Sequence, residues 1–174
     1  MTPKLYIWVE ASPDETFFRT IIIPVISKNY VPKVIIGKSL LKKSPQFLKS
    51  IEKMGNSYVF VTDLNEGTPC VSERKSLVQR EFPDIDKNKI IVVVTEIEGW
   101  YLAGLNRRSI RKLNVSAQKL RNKSLDSVTK QEFLNIIPKG CTVLQFREKI
   151  LRCFDIKVAT LKNKSFKYFF DKYM

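Results

Sequence analysis

The sequence contains no histidine. This absence excludes His-based general acid–base catalysis, the Ser-His-Asp and Cys-His arrangements, and most catalytic zinc sites. Cysteine is scarce: Cys70, Cys141 and Cys153 form no CxxC pair, so we expect reduced thiols and no zinc site. Any catalysis must therefore use carboxylates, lysine, hydroxyls or a hard metal ion.

Long apolar runs and phosphate-binding glycine motifs are also missing. No run approaches the roughly 20 residues that a membrane span requires. The start MTPKLYIWVE lacks the charged region, apolar region and cleavage site of a signal peptide. We therefore predict a cytoplasmic protein without a membrane partner. Neither a Walker nor a dinucleotide-binding glycine motif is present, so nothing supports a nucleotide-base pocket.

The length and composition are those of one ordinary globular domain. The chain has 174 residues, of which 44% are hydrophobic and 28% are charged. No repeat or linker divides it. We predict a single domain over residues 1–174, with an α/β core over 1–104 and a helical extension over 105–174.

Positive charge is in excess, with 31 Lys and Arg against 17 Asp and Glu and a formal net charge of +14. The basic residues are dense in 104–123 and 139–173, which suits a nucleic-acid backbone, DNA or RNA. Arg107, Arg108 and Lys139 are the predicted nucleic-acid contacts. The alternative is that the excess positive charge only makes a lysine-rich, solvated surface. The same alternative applies to each of these three residues.

Hydrophobic strand patterns alternate with helix patterns along the first half of the chain. Strands are predicted at 4–9, 34–36, 58–62 and 90–94, the last of them buried on both faces. Helices are predicted at 12–27, 44–53 and 68–82 and from residue 95. This alternation predicts a parallel sheet of about four strands flanked by helices. Only helices are predicted after Gly104, at 109–113, 129–138, 142–153 and 165–173, and we expect them to pack on the sheet.

Acidic residues follow the ends of three predicted strands. Glu10 follows the first, Asp63 the third, and Glu96 and Glu98 the fourth. Because the carboxyl ends of parallel strands meet at one edge of a sheet, we expect these acids to converge. Clustered carboxylates repel unless a cation holds them, and oxygen ligands suit Mg²⁺ or Mn²⁺. The sequence therefore predicts a divalent-metal site at this edge.

A local explanation competes with the metal site. Glu96 and Glu98 are expected in the first turn of a helix, where acids offset the helix dipole, and Thr95 with Glu98 matches a capping box. Glu10 and Asp63 directly follow their strands and are not needed as caps. The metal hypothesis therefore depends mainly on Glu10 and Asp63.

Four segments together resemble a known family. The order VEAS-DE, VTDLNEGTPC, EIEGWYLAG and KSFKYFFDKY is similar to domain-of-unknown-function family 4276, over nearly the whole chain. EIEGW is the most specific piece. That family is similar to TOPRIM-fold proteins, which are the metal-dependent catalytic domains of topoisomerases, primases and OLD-family nucleases.

The resemblance implies roles for particular residues. It implies a metal-binding glutamate at Glu10, an Asp-x-Asp pair at Asp63 and Asn65, and a further acidic motif at Glu96 and Glu98. It also implies phosphodiester chemistry, Mg²⁺ or Mn²⁺ as cofactor, and association with a separately encoded ATPase in phage defence.

The chain departs from the TOPRIM pattern at two positions. Ala11 stands where TOPRIM proteins have glycine after the first glutamate, and Asn65 stands where a second aspartate is usual. A neutral ligand holds a divalent ion less strongly, although Glu66 could substitute. The second change puts a two-metal mechanism in doubt more than metal binding itself.

The function hypothesis is a TOPRIM-like, Mg²⁺- or Mn²⁺-dependent nuclease. Glu10 and Asp63, with Asn65 or Glu98, would hold the ion, and Lys139 would stabilise charge that develops on the phosphate. The alternative is a catalytically inactive scaffold that binds nucleic acid or an ATPase. Nucleotidyl transfer would use the same metal site. The sequence leaves the activating trigger and the oligomeric state open, a homo-oligomer included.

Overall fold

The computed structural model describes residues 2–37, 46–64, 67–121 and 124–174. It confirms the predicted α/β class, with a four-stranded, all-parallel sheet flanked by helices and a helical C-terminal region. The chain forms two compact units, one of Met1–Val93 with Tyr173–Met174 and one of Val94–Lys172. The second unit starts before residue 105, where we predicted the helical extension to begin. The single domain stays a prediction.

The sheet of the first unit consists of the four predicted strands. These are β1 (Lys4–Val9), β2 (Val31–Ile36), β3 (Ser57–Asp63) and β4 (Ile90–Val93). Their order across the sheet is β2-β1-β3-β4, and every neighbouring pair is parallel. The chain thus adds β2 on one side of β1 and the later strands on the other.

Strands β1, β3 and β4 are mostly buried because both of their faces carry large apolar side chains, whereas β2 is mostly exposed. Trp8 and Phe60 pair in register and lie in one core cluster with Leu48 of one helix and Val78 of another. Ile7 leaves the opposite face of β1 and is also fully buried. A sheet covered on both faces explains the continuous apolar runs in the sequence.

Helices of the first unit follow the strands in the predicted places. They are α1 (Ser12–Phe17), a π-helical turn (Phe18–Ile22), α2 (Ile23–Ile26), α3 (Phe47–Lys53), α4 (Val71–Glu81) and a 3-10 turn (Lys87–Lys89). The expected helix start at residues 44–45 lies outside the described residues. Helix α4 has Cys70 as its N-cap and begins at Val71, three residues after the predicted start at residue 68.

The outer strand β2 begins with an apolar pair. The Val31 N–H donates to the Pro3 carbonyl oxygen at 2.9 Å, so this donor faces β1. Successive backbone groups of a strand point to opposite sides, and the ring nitrogen of Pro32 therefore faces away from β1.

The second unit is helical. Its elements are α5 (Glu98–Ala103), α6 (Arg107–Lys112), α7 (Ala117–Arg121), a 3-10 turn (Leu125–Ser127), α8 (Lys130–Ile136), α9 (Val143–Leu151), α10 (Ile156–Lys162) and α11 (Lys164–Tyr173). Capping boxes begin α8 and α9, formed by Thr129 with Glu132 and by Thr142 with Gln145, at the predicted helix starts. No helix in the described part of the chain is long and apolar enough to cross a membrane.

Trp100 lies in the core of this helical unit. It is fully buried, its ring centroid lies 5.2 Å from that of Phe166, and its Nε1–H donates to Ser165 Oγ at 2.8 Å. A buried indole with a satisfied N–H is a packing residue. Trp100 is therefore not a surface on which a nucleic-acid base could stack.

Candidate functional site

The strand order creates a reversal point between β1 and β3. From β1 the chain continues to β2 at one edge of the sheet, and from β3 it continues to β4 at the opposite edge. In open α/β sheets the crevice beyond the strand ends at such a point is the usual ligand site. Glu10 follows β1 directly, and β3 ends with Thr62 and Asp63. The two acids on which the metal prediction mainly depends therefore lie at the carboxyl ends of neighbouring strands.

The carboxylate of Glu10 is held by two side chains. Glu10 Oε1 accepts a hydrogen bond from Thr62 Oγ1 at 2.9 Å and one from Arg74 Nη2 at 3.3 Å. Arg74 comes from the first turn of α4 and is 11% exposed, whereas Glu10 is 26% exposed. A guanidinium thus already compensates the negative charge of Glu10.

Arg74 also fixes the end of β3. Its Nε donates to the carbonyl oxygen of Asp63 at 2.8 Å, and its Nη2 donates to Thr62 Oγ1 at 2.6 Å. The side chain therefore connects α4 to the ends of two strands. Sequence reasoning missed Arg74, because nothing in its local pattern indicates that it reaches a strand end.

Asp63 is the second acid at this point, and alternation along β3 separates it from the first. Thr62 and Asp63 are consecutive residues of β3, so their side chains leave opposite faces of the sheet. Because Thr62 contacts Glu10, alternation directs Asp63 to the other face. The predicted third ligand, Asn65, lies outside the described residues.

Glu98, the fourth predicted ligand, belongs to the helical unit and is buried there. It is 4% exposed, and Glu98 Oε1 accepts from Arg147 Nη2 of α9 at 2.5 Å. The Arg147 guanidinium lies 5.7 Å from the ring centroids of both Tyr101 and Phe133. Glu98 is thus half of a buried ion pair enclosed by aromatic rings.

Glu98 lies in the first turn of a helix, as the capping explanation predicts, but that explanation is wrong for Glu96 and for the capping box. Helix α5 begins at Glu98 with Ile97 as its N-cap, and no side chain caps it. Thr95 has a left-handed backbone with φ of 65°, and its hydroxyl donates to the Asp126 carbonyl oxygen at 2.9 Å. Glu96 accepts from the N–H of Lys130 and so adds a hydrogen bond at the start of α8, whose N-cap is Thr129.

The described residues do not by themselves compose a metal site. No three acidic or cysteine side chains among them gather closely enough to hold an ion. Glu10 is engaged by Arg74, and Glu98 is engaged by Arg147. A ligand set of Glu10, Asp63, Asn65 and Glu98 for Mg²⁺ or Mn²⁺ therefore stays a prediction, and we derive no reaction step from it.

Two cationic cavities lie in the helical unit, and α6 contributes residues to both. The first, which we call the lysine cavity, has a volume of about 440 Å³, and its cations are Lys112, Lys139, Lys149 and Arg152. The second, the arginine cavity, has a volume of about 430 Å³, and its cations are Arg107, Arg111 and Lys162. No carboxylate is among the described residues that line either cavity.

The predicted nucleic-acid contacts lie at or near these cavities. Lys139 is exposed and lines the lysine cavity, and Arg107 lines the arginine cavity. Arg108 follows Arg107 in α6 and is also exposed. Asn106 caps this helix by accepting from the Ser109 N–H at 2.9 Å, so both arginines lie in its first turn.

Lys162 differs from the other cations of the arginine cavity. Its ammonium donates to the Leu105 carbonyl oxygen at 2.5 Å. Partial burial of the ammonium lowers the pKa of Lys162, while the nearby Asp155 acts in the opposite direction.

Part of the lysine cavity could have been predicted from the sequence, because Lys149 and Arg152 are three residues apart at a helix end and therefore lie on the same face of the helix.

Comparisons with known proteins do not assign this chain to a family. No family model, curated protein or solved structure matches the chain. The resemblance to TOPRIM-like proteins therefore stays a prediction. The fold defines the class of protein as α/β with a four-stranded parallel sheet and a helical C-terminal region.

Proposed function

We propose that this chain is a nucleic-acid-binding protein and that its helical unit holds the phosphate backbone. The observation that supports this proposal is the distribution of charge along the chain. Residues 94–172 contain 17 Lys and Arg against 7 Asp and Glu, so most of the net charge of +14 belongs to this unit. Such a concentration of cations favours a polyanion through the release of its counterions.

The cavities support a phosphate ligand rather than a merely solvated surface. Seven cationic side chains line the lysine and arginine cavities, and no described lining residue is acidic. On an ordinary lysine-rich surface, acids and bases are interspersed. Helix α6 contributes to both cavities through Arg107, Arg111 and Lys112.

The double variant Arg107→Gln/Arg108→Gln should bind nucleic acid about tenfold more weakly than the parent chain at moderate salt. The slope of log K against log salt concentration should fall in magnitude by about 2, since each lost phosphate contact removes about 1. Fluorescence anisotropy with labelled single- and double-stranded DNA and RNA between 50 and 300 mM salt, roughly the range where counterion release is resolved, measures both quantities.

The matched control is Lys130→Gln/Lys157→Gln. Both lysines are exposed, belong to the helical unit and line neither cavity. The control removes the same charge and should keep nearly the parent affinity. Equal losses in the two double variants would mean that only net charge acts, and this would contradict a defined binding surface.

Metal-dependent phosphodiester hydrolysis is the second candidate function. The observation that favours it is the position of Glu10 and Asp63 at the carboxyl ends of the neighbouring strands β1 and β3, where the strand order reverses. The resemblance described above implies the same chemistry. When bound, Mg²⁺ or Mn²⁺ would orient the phosphate and lower the pKa of a bound water.

Cleavage of labelled DNA and RNA with added Mn²⁺ or Mg²⁺ tests this second candidate. The double variant Glu10→Gln/Asp63→Asn should lose cleavage by at least about 100-fold if these acids hold the ion. The control Glu52→Gln/Asp84→Asn removes two surface acids from the same unit and should keep full activity.

Cleavage that persists in the Glu10/Asp63 variant would reject the metal assignment. Binding without any cleavage in the parent chain would favour the inactive scaffold instead. A separately encoded ATPase partner, a homo-oligomer and a cytoplasmic location remain proposals from the sequence. Co-expression with a candidate ATPase and pull-down would test the first of them.

A further inference from the structure

The lysine cavity combines cations from three separate segments. Lys112 ends α6, Lys139 lies in the loop before α9, and Lys149 and Arg152 lie at the end of α9. Because the segments are distant in sequence, the fold itself brings these charges to one cavity. A solvated surface has no need of such convergence.

Among the described residues, the four cations have no acidic partner. Within the described part of the chain, no carboxylate lines the cavity, and none forms an ion pair with Lys112, Lys139, Lys149 or Arg152. Lys149 Nζ lies 3.7 Å from the thiol sulfur of Cys141. Like charges around one cavity repel each other, and an anion inside it would relieve that repulsion.

Part of the cavity wall is apolar. Leu113, Pro138 and Phe146 line it beside the cations. A volume of about 440 Å³ is within the range of small-molecule sites and exceeds what a bare phosphate ion fills. The cavity therefore suits a phosphate group attached to an organic portion, such as a sugar.

We propose that the lysine cavity binds a phosphomonoester, namely the phosphorylated end of a nucleic-acid strand. This inference rests on the proposed nucleic-acid binding and adds the part of the strand that is recognised. A phosphodiester within a strand carries one negative charge, whereas a terminal phosphate carries about 1.5 to 2 at neutral pH. Four cations around one cavity favour the more highly charged group. A free mononucleotide presents the same chemistry.

The test compares labelled oligonucleotides of one sequence that carry a 5′-phosphate, a 3′-phosphate or only hydroxyl ends. The parent chain should bind one of the phosphorylated strands about tenfold more tightly than the hydroxyl strand, as expected for charge-assisted hydrogen bonds. The variant Lys149→Gln/Arg152→Gln should lose this preference, because its affinity for the phosphorylated strand should fall about tenfold more than its affinity for the hydroxyl strand. The control Lys130→Gln/Lys157→Gln should keep both.

The outcomes separate this inference from the proposed function. Equal affinity of the parent chain for all three strands would overturn the inference and leave nucleic-acid binding intact. A chain that binds no hydroxyl strand but binds a nucleoside monophosphate in calorimetry would reject the proposed function and assign the cavity to free nucleotides. Thermal unfolding of each variant excludes misfolding, since all four substituted side chains are exposed.

Discussion

Replacing Arg147 by Met should lower the free energy of unfolding by about 3–5 kcal/mol. Arg147 and Glu98 form an ion pair in which their side chains are 14% and 6% exposed. Loss of the guanidinium leaves the Glu98 carboxylate buried without its counter-charge, which costs more than the pair itself contributes. Urea unfolding followed by the fluorescence of Trp100, which is buried in the same helical unit, measures the change.

Two further variants separate the charge from the packing. The double variant Glu98→Leu/Arg147→Met buries apolar groups only and should recover most of the lost stability. Lys149→Met removes an exposed cation from the same helix and should change the free energy of unfolding by less than about 0.5 kcal/mol. If Arg147→Met costs no more than Lys149→Met, the buried ion pair does not stabilise the helical unit.

Gly99→Ala should destabilise the protein by about 3 kcal/mol, near the upper end of the usual cost of overpacking. A Cβ atom at Gly99 would lie 2.4 Å from the Leu125 carbonyl oxygen, a backbone atom. That oxygen cannot easily move, because it accepts from Asn163 Nδ2 at 3.0 Å and Asn163 is buried. Thermal or urea unfolding checks the effect.

The decisive result is whether Gly99→Ala lowers or raises the free energy of unfolding. Within a helix, alanine is ordinarily more favourable than glycine by about 1 kcal/mol. A stabilising Gly99→Ala would therefore contradict the close approach of α5 to Leu125. The expected result also explains the glycine of EIEGW as a packing residue rather than part of a catalytic motif.

The sheet could be predicted because its signals are local. Strand β1 was predicted with its observed bounds, and β4 ends one residue before the predicted end. The caps of α8 and α9 follow from residues three apart, which is a short-range pattern. The start of α5 was misplaced because Thr95 and Glu98 match a capping box by spacing alone, while Thr95 has a left-handed backbone.

The partners of the acids could not be predicted in the same way. Arg74 reaches Glu10 only because β1 and β3 are neighbours and α4 follows β3, so the contact depends on strand order. Arg147 meets Glu98 across 49 residues of sequence. In both cases the sequence identified a charged group and missed the opposite charge that the fold brings to it.

Pro32 reduces what the edge of the sheet offers to a strand of another chain. In the described sheet β2 is an edge strand, and an edge offers backbone donors with which a foreign strand can pair. Pro32 has no N–H, and its nitrogen occupies the outward position where such a strand would require a donor. Lys33 follows with a charge that an added strand would have to accommodate. The open side of β2 is thus protected against aggregation by strand addition.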